Sequence, residues 1–272
     1  MSDTTWSPGV FPARYIERLR AAGGIAAPPF DADQVQPASL DLRLGDVAYR
    51  VRASFLPGGR HRMADKLERL KLHEISLAEG AVLETGCVYI VPLIEELKLP
   101  HGISASANPK SSTGRLDIFT RVMTDGGREF DKIAEAYAGP LWLEVSPRTF
   151  PIVVRTGSRL SQIRFRRGNA VLSEIELAGL HARETLVAAE EPSISGGGIA
   201  LSIDLEGDGD GLVGYRAKHH TGLVDLDRKA AHQVLDFWEP LRLRGARELI
   251  LDPDEFYILV SREAVHVPPD YA

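Results

Sequence analysis

The chain has 272 residues, of which 44% are hydrophobic and 26% are charged, and these are ordinary values for a soluble globular protein. The composition excludes a disordered or fibrous protein, and the length allows one large domain or two small ones. The formal net charge of −6 excludes a general electrostatic attraction to nucleic acid or to an anionic membrane. A polyanionic ligand would therefore need a local cluster of basic residues.

The single cysteine, Cys87, excludes a disulfide framework within one chain and any site that needs two thiolate ligands. Cysteine usage of this kind predicts a cytoplasmic location. The N-terminal residues are polar, and no segment approaches the ~18 consecutive apolar residues that would span a bilayer. The sequence therefore predicts neither a secreted nor a membrane protein.

The first element in chain order is a short amphipathic helix. Tyr15, Ile16, Leu19 and Ala22 have helical spacing, and Gly23 and Gly24 follow as a stop signal. From Pro37 onward the pattern changes to short apolar runs bounded by Gly, Pro, Asp or Asn, which is typical of strands. These runs are Ser39–Leu44, Val47–Val51, Val82–Leu93, Leu141–Val145, Ile152–Arg155 and Leu160–Phe165, with a further helix predicted at Met63–Leu72. The pattern predicts an all-β protein with a short N-terminal helix.

Residues 188–198 have the small, polar and flexible composition of a linker. After it, Ser202–Gly207 echoes Ser39–Gly45, and Phe256–Val260 echoes Val88–Pro92, so a duplicated module is predicted. The second copy stops before any counterpart of the segment from Pro109 to Arg166. The predicted organisation is an N-terminal helix and arm (1–30), a main module (31–187), a linker (188–198) and an incomplete second module (199–272).

The densest group of reactive side chains lies between Asn108 and Arg115. Three hydroxyls, Lys110 and Arg115 fall within eight residues beside a turn-forming Pro and Gly, so hydroxyls, backbone N–H groups and cations can converge on one anion. The segment lacks the glycine spacing of a P-loop. It is either a phosphate cradle or an ordinary solvated turn.

A second candidate is the carboxylate of Glu144 in a strand of large apolar residues. Two-residue alternation places Trp142, Glu144 and Ser146 on one face, opposite Leu141, Leu143 and Val145. Burial beside Trp142 and a nearby cation would act in opposite directions on its protonation, and the balance decides whether it exchanges protons near neutral pH. The alternative is a glutamate on a solvated face.

Other polar groups carry weaker signals. Arg148 follows the Glu144 strand directly, and it is the arginine of this region that we single out as a candidate ligand. The eight histidines show no metal-binding spacing, and Asp208 and Asp210 lack the ligand number of a calcium loop. The sequence therefore predicts no protein-bound metal.

Five motifs follow one another between about Pro37 and Arg166: Gln36–Gly45, Pro109–Leu116, Asp131–Gly139, Leu143–Glu144 and Gly157–Ile163. In this order they resemble the dCTP deaminase branch of the dUTPase superfamily, and the double length with an opening helix resembles its tandem-module bacterial form. The resemblance implies a dUTPase-like distorted β-barrel or jelly roll. It also implies a homo-oligomer with active sites at subunit boundaries.

The same resemblance implies roles for particular residues. Glu144 would shuttle protons, while Ser111 and Arg115 would fix the attacking water and bind the triphosphate. The remaining implied substrate contacts are Lys110, Ser112, Thr124, Asp125, Asp131, Tyr137, Arg148 and Gln162. The implied reaction is hydrolysis of dCTP to dUTP and ammonia, with Mg²⁺ accompanying the triphosphate and dTTP a further candidate ligand. The zinc route to base deamination needs two or three cysteines, and a single cysteine excludes it.

The sequence departs from the family pattern at Thr124–Phe130, where ordinary deaminases carry a short Ala-His-Arg-type segment. Asp125 and Arg128 are therefore the candidates for the base pocket. Two alternatives stay open. One is a dUTP diphosphatase on the same fold, with Asp131 as the base that directs water to the α-phosphate. The other is a regulatory module that binds a nucleotide without turnover.

Overall fold

The computed structural model describes residues 6–243 and 248–271. Two compact units are present: Met1–Asn169 together with Thr221–His232, and Ala170–His220 together with Gln233–Ala272. Residues 1–5 of the predicted N-terminal arm, and residues 244–247 and 272 of the predicted second module, lie outside the described residues. No helix in the described ranges is long and apolar enough to cross a membrane.

Short strands dominate the chain up to Asn169. The helices described there are α1 (Ala13–Ala21), α2 (Met63–Leu70) and α3 (Ser111–Gly114). The strands are β1 (Gly9–Val10), β2 (Ile25–Ala26), β3 (Val35–Gln36), β4 (Ser39–Arg43), β5 (Val47–Val51), β6 (Lys71–Ser76), β7 (Ala81–Leu83), β8 (Val88–Lys98), β9 (Ile103–Pro109), β10 (Ile118–Thr124), β11 (Lys132–Ile133), β12 (Ala138–Pro147), β13 (Ile152–Val154) and β14 (Arg159–Arg167). The predicted helices at both positions are confirmed.

The rest of the chain has fewer and shorter elements. In chain order they are α4 (Glu174–Glu184), β15 (Ile194–Ser195), β16 (Gly198–Ile199), β17 (Leu212–Ala217), β18 (Val224–Asp225), α5 (Val234–Phe237), β19 (Trp238–Arg242) and β20 (Tyr257–Leu259). The predominance of strands over helices confirms the all-β class.

Two six-stranded sheets form the frame of the first unit. Sheet I has the order β11-β9-β14-β4-β3 with β1 beside β14, and sheet II has the order β10-β12-β8-β5-β6 with β2 beside β8. Leu141, Leu143 and Val145 of β12 are fully buried, as expected for the face that packs in the core between the sheets. The sheets do not close on each other, so the unit is a sandwich of the jelly-roll kind.

A second apolar cluster lies outside the sandwich, where α2 covers the outer face of sheet II. Its buried members are Val51, Met63, Leu67, Ile90 and Met123. Met63 and Leu67 are four residues apart and therefore lie on one side of α2. Burial of two such side chains contributes roughly 1.5–3 kcal/mol each, which holds the helix on the sheet.

A buried ion pair joins the two sheets. Arg43 of β4 donates from Nε to Oε1 of Glu95 on β8 over 2.8 Å, and its backbone N–H donates to Oε2 over 2.8 Å. Gln34 Nε2 also donates to Glu95 Oε1 over 2.6 Å. Glu95 and Gln34 are fully buried. Both carboxylate oxygens of Glu95 are therefore satisfied inside the core.

The chain divides at Asn169, and not at the predicted linker 188–198, which lies inside the second unit. Part of that segment is a hairpin of β15 and β16, with Gly196 and Gly197 at φ 59° and 75° in its two-residue turn. Two positive φ angles are what a type I′ turn requires, so these glycines form a tight hairpin turn.

Residues 221–232 return to the first unit. Strand β18 pairs in parallel with β13, and Arg155 donates to both oxygens of Asp225 over 2.7 and 2.9 Å. The Arg155 guanidinium lowers the pKa of Asp225 below its ordinary value. In the second unit one sheet has the order β19-β17-β20, and residues 202–207 form no strand but take part in the isolated bridge between Ile203 and Ser261. The duplicated module stays a prediction.

Candidate active site

The predicted phosphate cradle is the short helix α3 and its flanks. Pro109 ends β9, Lys110 is the N-cap residue, and Thr113 Oγ1 donates to the Leu160 carbonyl over 2.7 Å. This anchor buries Thr113 and leaves the neighbouring hydroxyls on the surface. The exposed residues are Ser111, Ser112 and Arg115. The structure therefore presents two hydroxyls and one guanidinium to solvent within a single turn.

Lys110 differs from the other residues of the cradle. Its Nζ forms an ion pair with Oδ2 of Asp41, a buried residue of β4, while Asp41 Oδ1 has no hydrogen-bond partner in the described part of the chain. The amino group is therefore engaged in holding α3 against sheet I. Gln162 of β14 is similarly engaged, because its Oε1 accepts a hydrogen bond from Ser39 Oγ over 2.8 Å.

Glu144 lies on β12, on the face opposite Leu141, Leu143 and Val145, as alternation predicts. The face is covered, however, and Glu144 is only 1% exposed, so a solvated glutamate is excluded. Its Oε1 accepts two hydrogen bonds from Arg121, from Nη2 over 2.6 Å and from Nε over 3.1 Å. Its Oε2 is buried and has no hydrogen-bond partner among the described residues.

Arg121 was missed by the sequence interpretation. It lies on β10 directly opposite Glu144 in the register of sheet II. Its Nη2 also donates to Ser54 Oγ over 2.7 Å, and its guanidinium lies 3.6 Å from the centre of the Phe130 ring. Cation and ring at this distance attract each other, so the guanidinium is held by three groups at once: Glu144, Ser54 and Phe130.

Asp131 lies close to this pair. Its backbone has a φ of 60°, and its Oδ1 accepts a hydrogen bond from the Val122 N–H over 2.7 Å. Burial raises the pKa of Asp131, the Val122 N–H and the Arg121 charge oppose this rise, and the charge of Glu144 reinforces it. Two carboxylates and one guanidinium thus form a compact group of charges.

Replacing Asp131 by Asn should make protein stability less sensitive to pH. The pKa of Asp131 is raised in the folded state, so this residue favours folding at pH values below its unfolded-state pKa. This contribution is lost as the pH rises through the folded-state pKa. Asparagine stays neutral and keeps the oxygen that accepts the Val122 N–H. In urea unfolding, the free energy of unfolding of Asp131→Asn should therefore rise relative to that of the wild type as the pH increases from about 3 to about 7. A stability difference that is constant or reversed over this range would contradict the argument.

The predicted base-pocket turn is tightly packed. Asp125 Oδ1 accepts the Met63 N–H over 2.8 Å at the start of α2, where an acidic side chain caps a helix. The Tyr137 hydroxyl donates to the Pro140 carbonyl over 2.6 Å, and burial raises the pKa of Tyr137 to about 12. Thr124, the last residue of β10, is buried. The Asp125 and Tyr137 side chains thus position the turn through contacts within the chain.

A cavity of about 670 Å³ opens beside this turn. Its lining residues are Gly59, Arg60, His61, Arg62, Ala64, Asp125, Gly126, Ala138, Gly139, Pro140 and Trp142. This volume suits a small organic molecule. Trp142 is two residues from Glu144 on the same strand, and its Nε1 is a buried donor with no partner in the described part of the chain. Glu144 itself does not line the cavity.

Within one chain, α3 and Glu144 are separate. Ile118, four residues after α3, pairs with Pro147, whereas Glu144 pairs with Arg121 three residues further along β10. Three residues of strand span about 10 Å, so Glu144 lies well inside the sheet and α3 lies at its end. Arg148 is at the α3 end, where its backbone N–H donates to Asp117 over 3.0 Å and its side chain is exposed. The structure thus brings Arg148 toward α3, and leaves Glu144 with Arg121 and Asp131.

Within the described ranges, no group of three or more His, Cys, Asp or Glu side chains is placed to hold a metal ion. The first unit is a two-sheet sandwich that exposes the hydroxyls of Ser111 and Ser112 and the guanidinium of Arg115, and that buries the Glu144 carboxylate separately from them. These features are those of a nucleotide-binding protein of the class that the sequence motifs resemble.

Comparison with family models assigns both parts of the chain. Residues 7–169 match the N-terminal domain of 2′-deoxycytidine 5′-triphosphate deaminase, and residues 173–272 match the C-terminal domain of the same family. The chain belongs to the dCTP deaminase family. The gap between the two matches coincides with the division at Asn169 in the structure.

Known relatives agree with this assignment. The chain is 32% identical over 155 residues to the dUMP-forming dCTP deaminase of Beutenbergia cavernae, and the aligned region covers 57% of this chain and 77% of the relative. It is 30% identical over 159 residues to the dCTP deaminase of Halorubrum lacusprofundi, covering 56% and 74%. The crystal structure of 2′-deoxycytidine 5′-triphosphate deaminase from Agrobacterium tumefaciens is 67% identical, with a TM-score of 0.92, and covers 97% of this chain and 79% of that one.

Proposed function

We propose that this protein hydrolyses dCTP to dUTP and ammonia in the cytoplasm, with Glu144 as the group that moves protons. The observation that carries the proposal is the state of the Glu144 carboxylate. One oxygen is fixed by Arg121, and the other is buried and free of protein partners in the described residues. Such an oxygen is positioned to accept a proton from water and to return it. Membership of the dCTP deaminase family supports the choice of substrate.

The chemical steps follow from this arrangement. Glu144 Oε2 takes a proton from water as the water oxygen bonds to C4 of the cytosine, and the proton passes to N3. A second proton, from the new hydroxyl, reaches the exocyclic nitrogen by the same carboxylate. The C4–N bond then breaks, ammonia leaves, and the C4 carbonyl of uracil remains. The carboxylate ends in the ionisation state in which it began.

The triphosphate is assigned to the exposed cradle of Ser111, Ser112 and Arg115. Hydroxyls and a guanidinium are suitable donors for phosphate oxygens. Mg²⁺ would enter as part of the substrate, bound to the triphosphate, and its charge would lower the repulsion between the phosphates.

Arg115→Ala should weaken substrate binding more than it slows the chemical step. Loss of one charge-assisted hydrogen bond costs roughly 1.5–3 kcal/mol, which corresponds to about a 10- to 150-fold rise in KM for dCTP. Steady-state kinetics with Arg228→Ala as control would measure it, because Arg228 is an arginine distant in sequence from the cradle. A fall in kcat with an unchanged KM would contradict the assignment.

We further propose that the site is completed between two copies of the chain. Glu144 and α3 are apart within one chain, so a single copy does not bring the carboxylate and the cradle together. Mixing Glu144→Gln chains with Arg115→Ala chains, under conditions that allow subunits to exchange, should restore part of the activity, because some shared sites then contain neither substitution. No recovery after proven exchange would place both groups in one chain.

A second candidate activity is the hydrolysis of dUTP to dUMP. The dUMP-forming names of the curated relatives favour it, and the raised pKa of Asp131 fits a carboxylate that can accept a proton from water. Incubation with dCTP separates the possibilities. Ammonia with dUTP supports deamination alone, ammonia with dUMP and pyrophosphate supports both activities, and pyrophosphate from dUTP without ammonia from dCTP overturns deamination. Nucleotide binding by calorimetry without any product would indicate a regulatory module.

A further inference from the structure

The Arg121–Glu144 ion pair has an unusual asymmetry. Both hydrogen bonds that the guanidinium donates to Glu144 go to Oε1, and none goes to Oε2. A guanidinium facing a carboxylate can bind both oxygens in parallel, and in that arrangement both would be engaged. Here one oxygen is doubly held and the other is left buried without a partner in the described part of the chain.

Arg121 is itself held in place. Its Nη2 donates to Ser54 Oγ over 2.7 Å, and its guanidinium lies 3.6 Å from the Phe130 ring centre and 4.8 Å from that of Phe119. The contacts come from three separate segments of the chain. A side chain fixed from several sides loses little further freedom when it binds another group, so it can orient that group accurately.

We propose that Arg121 is the positioning residue of Glu144: it fixes Oε1 so that Oε2 is the oxygen that exchanges protons with the water and the cytosine. The inference deepens the proposed deamination and rests on it. Arg121 does not touch the substrate in this scheme. It sets the direction of the carboxylate and keeps a positive charge beside it.

The surroundings of Glu144 define the expected effect of pH. Among the described residues, Arg121 from β10 forms an ion pair with Glu144, and the charge of Glu144 acts on Asp131 in the following turn. Ile90 on β8 lies between Glu144 and Tyr49 of β5 in the register of sheet II. The buried residues of α2 in this cluster are apolar. Without Arg121, Glu144 would lose its ion-pair partner, and loss of a nearby positive charge disfavours the ionised form of a carboxyl group.

Arg121→Gln tests the inference through kinetics. It should lower kcat for dCTP deamination by about 10²-fold with little change in KM, because the carboxylate is misplaced while the triphosphate cradle is intact. The acidic limb of the kcat–pH profile should move to higher pH. Arg121→Lys keeps the charge and loses the planar fork, so it should restore the acidic limb and recover only part of kcat.

The chain offers a matched control. Arg216 and Glu239 form a similar cross-strand ion pair over 2.6 Å on β17 and β19 of the second unit, and Arg216→Gln should leave both kcat and the pH profile unchanged. An active wild type with unchanged kcat and acidic limb in Arg121→Gln would overturn the inference alone. A wild type that releases no ammonia would overturn the proposed function and this inference with it. If Arg121→Gln does not fold, a fully active Arg121→Lys would overturn it.

Discussion

Replacing Glu144 with glutamine should lower kcat for dCTP deamination by roughly 10²- to 10⁴-fold, the range expected when an acid–base group is removed. Glutamine has nearly the same shape, and its amide oxygen can still accept the hydrogen bonds of Arg121. The amide cannot take up and return a proton, so the chemical step loses its carrier. Ammonia release under saturating dCTP measures the effect, and KM should change little.

The control for this substitution is Glu239→Gln, which changes an exposed glutamate of a cross-strand ion pair. It should retain wild-type kcat. Thermal unfolding of both variants should resemble that of the wild type, so that a loss of activity can be assigned to chemistry. Wild-type kcat in Glu144→Gln would remove Glu144 from the mechanism.

Glu95→Ala is the substitution with the largest expected effect on stability. It removes the buried carboxylate that pairs with Arg43, so that the part-exposed Asp31 is the anionic partner that remains in the described structure. Breaking a buried pair costs about 3–5 kcal/mol of the free energy of unfolding. Such a loss is a large part of the total stability of a domain. Urea unfolding would measure it.

The adjacent Glu96 provides the control, because it is exposed on the opposite face of β8. Glu96→Ala should change the free energy of unfolding by no more than about 0.5 kcal/mol. A loss of less than about 1 kcal/mol in Glu95→Ala would show that the Arg43–Glu95 pair does not hold the sheets together.

Much of the first unit could be predicted from local pattern. Leu141, Leu143 and Val145 alternate with Trp142 and Glu144, and this alternation set the two faces of β12 correctly. Spacing of apolar residues was sufficient for α1. The predicted strand Val82–Leu93 is two strands, β7 and β8, because Gly86 adopts a φ of 70° in the turn between them.

The candidate site depended on long-range contacts that no local pattern contains. Glu144 is buried because α2 and the segment before it cover the outer face of sheet II, and Arg121 meets Glu144 only through the register of β10 and β12. Thirteen residues separate β10 from β12, so the sequence alone does not determine which residues of the two strands pair. Lys110 fits the pattern of a phosphate ligand, and its partner Asp41 is 69 residues away.

Two other features that were not predicted do have a recognisable sequence pattern. Ser173 and Glu176 form a capping box that begins α4, and Ser-x-x-Glu is a known N-terminal signature of helices. The pair lies just after the division at Asn169. This capping box predicts that a helix begins at residue 174, which favours a boundary between the two units before that helix instead of at residues 188–198. The Gly196–Gly197 pair is likewise a hairpin signal as well as a linker signal.

We propose that this chain removes the exocyclic nitrogen of cytosine with a carboxylate as proton carrier. The decisive experiment is the simultaneous measurement of ammonia and uracil nucleotide formed from Mg–dCTP, with wild type and Glu144→Gln side by side. We expect one ammonia per uracil nucleotide from the wild type and a rate at least about 10²-fold lower from the variant. Absence of ammonia from the wild type, or equal rates from both proteins, would contradict it.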